Sequence, residues 1–295
     1  MQTYAKLLFT AVFWGGTFVA GRFVSQNVGP FSIAFLRFAI ASLCLMLLTW
    51  SMEGRLPPLK KCQILPVLLL GMTGVFTYNV MFFKGLKIIE AGRASLIIAT
   101  CPVFIAIASA VLLREPINPI KSIGIIVALC GAIVVISRGN LPQVFKGGFG
   151  LGELYIFCCV LSWVAYSLIG KHVMNNLSAL ASVSYSATVG AMALSVPAYF
   201  EGLAANIGSQ SAADWLSILY LSVFGTVVGF VWYYQGVQHL GPTKAGLFIN
   251  FVPIFGVLFA YLILKEPVSA SLAIGTVLVI CGVYLTTRPA KVRVT

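Results

Sequence analysis

Ten stretches of this sequence are long and apolar enough to cross a lipid bilayer as helices. A bilayer core of about 30 Å needs roughly 20 helical residues. Continuous runs of this kind are not typical of a transmembrane β-barrel, whose strands alternate over about 10 residues. The connections are short, so we expect no separate soluble domain. The predicted spans are Leu7–Val24, Phe31–Trp50, Ile64–Phe83, Ala94–Leu113, Ile120–Ile136, Leu151–Ile169, Leu180–Tyr199, Trp215–Tyr234, Ala245–Leu264 and Leu272–Thr287.

Composition indicates that lipid is the solvent for most of the chain. Of its 295 residues, 60% are hydrophobic and only 9% are charged, whereas soluble domains carry about 25% charged residues. The net charge of +12 comes from lysines and arginines that lie between the apolar runs. At such positions they orient helices and meet anionic headgroups. We therefore predict an all-α polytopic membrane protein whose partner is the lipid bilayer and not nucleic acid.

One stretch of the sequence occurs twice. Residues 94–137 align with residues 245–288 without a gap, at a constant shift of 151, and 12 of the 44 positions are identical. Matches of Glu-Pro, Gly and Cys at a single register are not expected from apolar composition alone, so they indicate an internal duplication. The matched pairs include Pro102 with Pro253, Glu115 with Glu266 and Pro116 with Pro267.

The repeat unit contains five spans. Span 1 aligns with span 6 at a shift of 149, which pairs Trp14 with Trp163. We therefore expect two five-helix repeats, residues 1–139 and residues 140–295. Because five is odd, the second repeat must enter the membrane from the side opposite the first. The two repeats are then inverted, and a pseudo-two-fold axis in the membrane plane relates them.

The distribution of lysine and arginine predicts the orientation. The loops on the side of both chain termini hold 11 of these residues, and the loops on the other side hold 7. Cytoplasmic loops are enriched in lysine and arginine. We therefore expect a multi-pass protein of the cell inner or plasma membrane, with both termini in the cytoplasm.

These features resemble the EamA family of the drug/metabolite transporter superfamily. The resemblance rests on the ten spans, on the five-span repeat, and on a repeated motif. The motif is Pro102…Arg-Glu-Pro in the first repeat and Pro253…Lys-Glu-Pro at the matching position of the second. The Phe-Trp-Gly sequence around Trp14 and the Leu-Arg-Phe sequence around Arg37 also fit. The resemblance implies a central cavity, alternating access, and export of amino acids or other small metabolites without an ATPase subunit. The connection between spans 3 and 4 is more charged than this family leads us to expect, with Lys84, Lys87, Glu90 and Arg93.

Aromatic and polar side chains are predicted to line the cavity. Trp14 and Thr17 share one face of span 1, and Trp163 and Tyr166 share the corresponding face of span 6. Such faces of an inverted repeat meet near the midplane, where transporter sites lie. The alternatives are ordinary helix packing and, for the tryptophans, the interfacial belt. Spans 3, 8 and 9 add the candidates Tyr78, Asn79, Phe82, Phe230, Tyr233, Tyr234 and Asn250.

Arg37 is the one charged residue well inside a span. At mid-depth an arginine costs about 2.5–3.5 kcal/mol on insertion scales, so it must face protein or water and have a partner. One interpretation is a contact with the carboxylate of a substrate, and the other is a structural bond to helix-end carbonyl groups. Pro102 and Pro253 lie inside spans 4 and 9, where proline permits a kink. Each is either a hinge or a fixed bend.

The sequence shows no enzyme signature. It has no GxSxG, HExxH or Walker A motif, and its seven cysteines form no pair at metal-binding spacing. We therefore predict no catalytic residue, no metal and no cofactor. The seven acidic residues all lie at or near span ends, so proton coupling through a mid-span carboxylate is not supported. Glu153, a few residues into span 6, is the best remaining candidate for such a role.

The predicted function is secondary transport of a small-molecule substrate through a central cavity by alternating access. An aromatic cavity with few fixed charges suits hydrophobic or aromatic amino acids, and the family resemblance favours export. The alternatives are an importer or exchanger of other metabolites, or a non-transporting membrane scaffold or receptor. The sequence pattern carries no information on oligomeric state.

Overall fold

Every regular element in the described part of the chain is a helix. The computed structural model describes residues 2–112, 114, 118–137, 150–173, 177–240 and 248–287. Within these residues nine helices are long and apolar enough to span a membrane, and a tenth apolar helix is shorter. The ten helices are α1 (Gln2–Val24), α2 (Pro30–Glu53), α3 (Lys61–Ile88), α4 (Ala91–Leu112), α5 (Pro119–Ile136), α6 (Leu151–Val173), α7 (Ala179–Phe200), α8 (212–240), α9 (Val252–Leu264) and α10 (Ala270–Thr287).

The outer surface of the helix bundle is apolar. Large hydrophobic side chains point outward along many helices, with Phe200 81%, Val111 72% and Leu43 69% exposed. A soluble protein rarely exposes contiguous apolar surface of this extent. The surface is the one that a lipid bilayer requires, and the prediction of an all-α polytopic membrane protein is confirmed.

Several helices begin and end at residues that favour helix termini, namely proline, asparagine and glycine. Pro30 starts α2 and Pro119 starts α5, because proline is pre-organised for the first helical turn. The side chain of Asn118 accepts a hydrogen bond from the backbone N–H of Lys121 and so caps α5. Gly54 ends α2 in the left-handed conformation, with φ of 72°, which glycine adopts without a steric cost.

The pairing of helices is symmetric between the two halves. Helix α5 packs along α10, and α2 packs along α7. Helix α6 packs against α3 and α4 of the first half. In the same way, α1 packs against α8 and α9 of the second half. Exchanging helices 1–5 for helices 6–10 leaves this set of contacts unchanged. The structure is therefore two inverted five-helix repeats, although the predicted boundary between residues 139 and 140 lies outside the described residues.

Helices α3 and α8 carry the same irregularity. Each contains a π-helical segment, Gly71–Thr77 in α3 and Val223–Val228 in α8. The two segments correspond at the 151-residue shift of the repeat. A π-helical segment shifts the register of the backbone hydrogen bonds and is common at functional sites.

Helix α4 is interrupted at a position equivalent to the start of α9. The turn at residues 99–100 breaks α4, which resumes at Cys101, and the turn at residues 250–251 separates helical residues 248–249 from α9, which begins at Val252. Pro102 and Pro253 occupy the second position of the helices that follow these breaks. The predicted kinks are thus breaks in the helix, and each proline lies in the first turn after the break. Proline is tolerated there because first-turn N–H groups have no intrahelical acceptor.

Candidate functional site

A cavity of about 430 Å³ lies between the two halves of the bundle. Both halves contribute to it, from α1, α2, α3 and α4 on one side and from α6 to α10 on the other. The cavity brings together nearly all of the residues that the sequence analysis selected. Those that line it are Trp14, Thr17, Arg37, Tyr78, Phe82, Pro102, Trp163, Tyr166, Phe230, Tyr233, Asn250 and Pro253.

A continuous row of rings forms the cavity wall contributed by α3 and α6. Phe82 and Tyr78 stack with their ring centroids 5.9 Å apart, and Tyr78 lies 5.4 Å from Trp163. Trp163 in turn lies 5.2 Å from Tyr166. We call these four side chains the α3–α6 wall. Ring pairs at such distances are favourable beyond their area burial, so the wall is a defined aromatic surface.

A second aromatic wall faces the cavity from α1 and α8. The ring of Trp14 lies 5.7 Å from that of Phe230 and 5.6 Å from that of Tyr233. The indole Nε1–H of Trp14 donates a hydrogen bond to the carbonyl oxygen of Gly225 at 3.0 Å. A Cβ atom at Gly229 would lie 2.6 Å from that indole nitrogen, so only glycine fits there. We call Trp14, Phe230 and Tyr233 the α1–α8 wall.

Arg37 is held between the π-helical segment of α8 and the α-helical turn that follows the π-helical segment of α3. Its side chain is buried, and Nε donates to Oγ1 of Thr226 at 3.1 Å while Nη1 donates to Oδ1 of Asn79 at 3.0 Å. Within the described residues the third nitrogen, Nη2, makes no hydrogen bond, and Arg37 has no carboxylate partner. The guanidinium carbon lies 5.2 Å from the ring centroid of Phe38.

Among the candidates whose side chains are described, Asn79 does not line the cavity. The side chain of Tyr234 lies outside the described part of the structure. Besides accepting from Arg37, the side chain of Asn79 donates from its amide nitrogen to the carbonyl oxygens of Val75 at 2.8 Å and Gly74 at 3.4 Å. Both carbonyls belong to the π-helical segment of α3. Asn79 therefore positions Arg37, and its direct contact with a solute stays a prediction.

The cavity extends toward the side of the membrane that holds both chain termini, here called the terminus side. It is lined by Gly170 in the last turn of α6 and by Ser182 in the first turn of α7. Both of these turns lie on the terminus side. The chain order places Phe82 and Ser95 nearest the opposite side, and they bound the cavity there.

A buried ion pair lies on the opposite side. Nη1 of Arg93, at the start of α4, lies 2.9 Å from Oε1 of Glu153, at the start of α6. Arg93 is 7% exposed and Glu153 is 5% exposed, while Glu90 adds a second carboxylate 3.9 Å from Arg93. The unexpected charge between spans 3 and 4 thus has a structural explanation. Sequence reasoning did not pair Arg93 with Glu153, because 60 residues and two helices separate them.

On the opposite side, two carboxylates of the second repeat also cap helix N-termini of the first repeat. Glu266, after α9, accepts hydrogen bonds from the N–H groups of Ala91 at 2.8 Å and Gly92 at 3.0 Å, at the start of α4. Glu201, after α7, accepts from the N–H and the hydroxyl of Ser32 in α2. A carboxylate at a helix N-terminus is stabilised by the unpaired N–H groups and the helix dipole.

The glutamate of the second repeated Glu-Pro pair is thus a contact between the two repeats. The sequence analysis did not find this role for Glu266. Lys265, just before it, ends α9 with a positive φ of 57°, and Arg114 has a φ of 54° at the equivalent position after α4. The matching pair Glu115 and Pro116 lies outside the described residues.

The arrangement can hold an amphipathic solute. Two aromatic walls offer apolar faces, and Arg37 and Asn250 offer polar groups. No cluster of three His, Cys, Asp or Glu side chains among the described residues could hold a metal ion. The fold and this cavity define a multi-pass membrane protein with a solute-sized chamber between two inverted repeats.

Comparison with known sequences identifies the family. The EamA-like transporter family matches residues 2–137 and again residues 150–288. The chain therefore belongs to the EamA-like transporter family, and the predicted resemblance is confirmed. The class of protein is a membrane transporter, which is not an enzyme in general.

Individual relatives and a solved structure agree with this assignment. The chain is 28% identical to the uncharacterized transporter YyaM of Bacillus subtilis, over 96% of this chain and 92% of the relative. It is also 28% identical to an uncharacterized transporter of Archaeoglobus fulgidus, over 97% of each chain. A crystal structure with 21% identity superimposes with a TM-score of 0.64 over 95% of this chain and 96% of the other, which supports the fold alone.

Proposed function

We propose that this protein is a secondary transporter that exports small amphipathic metabolites, such as hydrophobic or aromatic amino acids, by alternating access. The observation that carries the proposal is the aromatic cavity between the two inverted repeats. Its volume of about 430 Å³ falls within the range of about 300–1,000 Å³ typical of small-molecule sites. Inverted-repeat transporters bind solutes near the midplane at the repeat interface.

The chemistry of the lining supports an amphipathic solute. The α3–α6 wall and the α1–α8 wall present ring faces that can bury an apolar or aromatic group. Two of the polar lining groups lie beside irregular parts of helices, Arg37 next to the π-helical segment of α8 and Asn250 at the turn before α9. A small number of polar groups in an apolar pocket fixes the orientation of a ligand.

The difference between the two ends of the cavity supports alternating access, while the proposed direction of export rests on the resemblance to exporters of the family. The cavity reaches the terminus side, which the lysine and arginine distribution predicts to be cytoplasmic. The buried pair of Arg93 and Glu153 closes the other side. A solute therefore enters from the cytoplasm in this conformation, and its release requires the ion pair to separate. We place the protein in the cell inner or plasma membrane.

Efflux from proteoliposomes tests the proposal. The purified chain is reconstituted with labelled phenylalanine or tryptophan inside, and efflux is compared with that from protein-free vesicles, with and without a pH gradient. We expect efflux that depends on the protein and is lowered by Trp14→Ala or Tyr78→Ala, which each remove a ring from one wall. Trp50→Ala serves as the matched control, because Trp50 is 61% exposed on the outer surface.

The outcomes separate the candidate functions. Uptake alone, or exchange that needs solute on both sides, would replace export with the alternative directions. Full efflux by both wall variants, at normal insertion, would remove the aromatic cavity as the binding site. No flux of any amino acid or metabolite in a broad panel would favour a scaffold or receptor.

A further inference from the structure

We propose that Arg37 binds the carboxylate of the transported solute, so that the substrates are monocarboxylates with an apolar or aromatic body and need no amino group. This inference rests on the proposed transport function and narrows its substrate class. Three observations carry it. Nη2 of Arg37 makes no hydrogen bond within the described residues, the described residues that line the cavity include no acid, and two helix N-termini face the cavity.

The first observation is the incomplete bonding of Arg37. Two of its nitrogens are fixed by Thr226 and Asn79, whereas Nη2 makes no hydrogen bond within the described residues. Arg37 lines the cavity although only 8% of the residue is exposed. A guanidinium group presents several donors in a rigid fork that matches a carboxylate. The bonds to Thr226 and Asn79 therefore hold Nη2 ready for an acceptor that the described part of the chain does not supply.

Gly225 lies beside Nη2, and Gly225 and Arg37 both line the cavity. A Cβ atom at Gly225 would lie 3.7 Å from Nη2 and would meet Cγ2 of Thr17 at 2.7 Å, so a larger residue does not fit at this position. The carbonyl oxygen of the same glycine accepts the hydrogen bond of Trp14. A solute whose ring packs on the α1–α8 wall would therefore place its polar end near Nη2.

The second observation is the charge of the cavity. Among the described residues that line it, Arg37 is the one charged side chain, and none is Asp, Glu, Lys or His. A buried cation without a carboxylate is costly in a membrane protein. An anionic solute supplies the missing charge, whereas the ammonium group of an amino acid would find no acidic partner here.

The third observation is the direction of the helices that follow the two breaks. The second part of α4 begins at Cys101 and α9 begins at Val252, and both of these residues line the cavity. The first turn of a helix has unpaired N–H groups and a partial positive charge. Two such ends add to the charge of Arg37, so the cavity favours an anion from more than one direction.

The direct test compares ligands on the unmodified full-length protein. Tryptophan fluorescence follows binding to the purified protein in detergent, because Trp14 and Trp163 line the cavity. The probes are 3-phenylpropionate, phenylalanine, 3-phenylpropanamide and phenethylamine, which share one ring and differ in their polar ends. We expect 3-phenylpropionate to bind at least as tightly as phenylalanine, because the ammonium group of phenylalanine has no acidic partner among the described lining residues. We expect the amide and the amine to bind at least about tenfold more weakly than 3-phenylpropionate.

Variants of Arg37 provide the second arm. We expect Arg37→Gln to lose the preference for 3-phenylpropionate over its amide while still binding the ring, and Arg37→Lys to keep part of it. Arg55→Gln is the matched control, because Arg55 is exposed in the connection between α2 and α3 and should leave the preference unchanged.

The results distinguish this inference from the function on which it rests. Equal binding of acid, amide and amine by the unmodified protein would overturn the carboxylate site and leave aromatic transport standing. Phenylalanine binding that greatly exceeds that of 3-phenylpropionate would show that the amino group is also recognised. Failure of every probe to bind, together with no flux of amino acids, would overturn both.

Discussion

The two ends of the helix bundle share equivalent contacts between α2 and α7 but differ in their buried charges. Helices α2 and α7 are tied at both ends by equivalent contacts. Glu201 accepts from Ser32 on the opposite side, and Ser178 donates to Glu53 at 2.5 Å on the terminus side. This pair of helices is therefore fixed symmetrically, as the inverted repeat requires.

Among the described residues the two ends differ at the first turns of α6 and α1. On the opposite side Glu153, at the start of α6, forms a buried ion pair with Arg93. The position that matches Glu153 at the start of α1 is Tyr4, which is 49% exposed and carries no charge. The symmetric contacts of α2 and α7 follow from the duplication, whereas the buried ion pair follows from a difference between the repeats at one matched position.

The largest expected effect follows from breaking the buried ion pair. Glu153→Gln leaves the charge of Arg93 buried and without a full partner, which typically costs about 3–5 kcal/mol. We expect a strongly lowered apparent melting temperature, measured by tryptophan fluorescence in detergent. A melting temperature equal to that of the unmodified protein would show that the pair does not hold this end closed.

A double variant separates charge from packing. Replacing both partners by apolar residues, Arg93→Met with Glu153→Leu, removes the unpaired charge and is often neutral or stabilising. We expect it to recover most of the stability lost in Glu153→Gln. The same substitution at the exposed Glu53 on the terminus side, Glu53→Gln, should cost at most about 1 kcal/mol.

An intermediate effect is expected from the capping carboxylate. Glu266→Gln weakens two hydrogen bonds from the N–H groups of Ala91 and Gly92 and removes the charge that complements the α4 dipole. We expect a loss of about 1–2 kcal/mol, measured as above. Lys265→Gln changes the neighbouring charge without touching the cap, so it should have a smaller effect. A larger effect of Lys265→Gln would contradict the capping role.

The smallest effect is expected from the prolines at the two helix breaks. Pro102→Ala and Pro253→Ala each restore an N–H group in a first turn, where no intrahelical acceptor exists. We expect stability to change by less than about 1 kcal/mol in either variant. If the breaks act as hinges, both variants should slow efflux by a similar factor. A stability loss in one variant alone would show that the two breaks are not equivalent.

Much of the fold could be predicted from the sequence, because lipid imposes simple rules. Helix length follows from bilayer thickness, and the odd number of spans in the repeat implies inversion. The breaks in α4 and before α9 were expected only as kinks. A proline constrains the residues before it, but the sequence does not show whether the backbone bends or separates there.

The residues of the cavity were predicted best where the internal sequence repeat aligned them. The alignment of Trp14 with Trp163 selected residues of both aromatic walls. It did not identify Gly229, whose missing side chain makes room for Trp14, or the pairing of Arg93 with Glu153. Both depend on contacts between helices that are distant in sequence, and no periodicity within one helix reports them. Whether these walls bind a solute stays a prediction.

Labelling of a cysteine at position 95 by a membrane-impermeant thiol reagent tests directly whether the cavity opens on the terminus side and is closed on the opposite side. Ser95 lies near the start of α4, close to the sealed side, yet it lines the cavity and is 1% exposed. In a variant that lacks the seven native cysteines and carries Ser95→Cys, we expect labelling from the side that holds both termini and protection from the other side. Adding Glu153→Gln should increase labelling from the sealed side. Labelling of Ser95→Cys only from the sealed side, with the ion pair intact, would contradict the account.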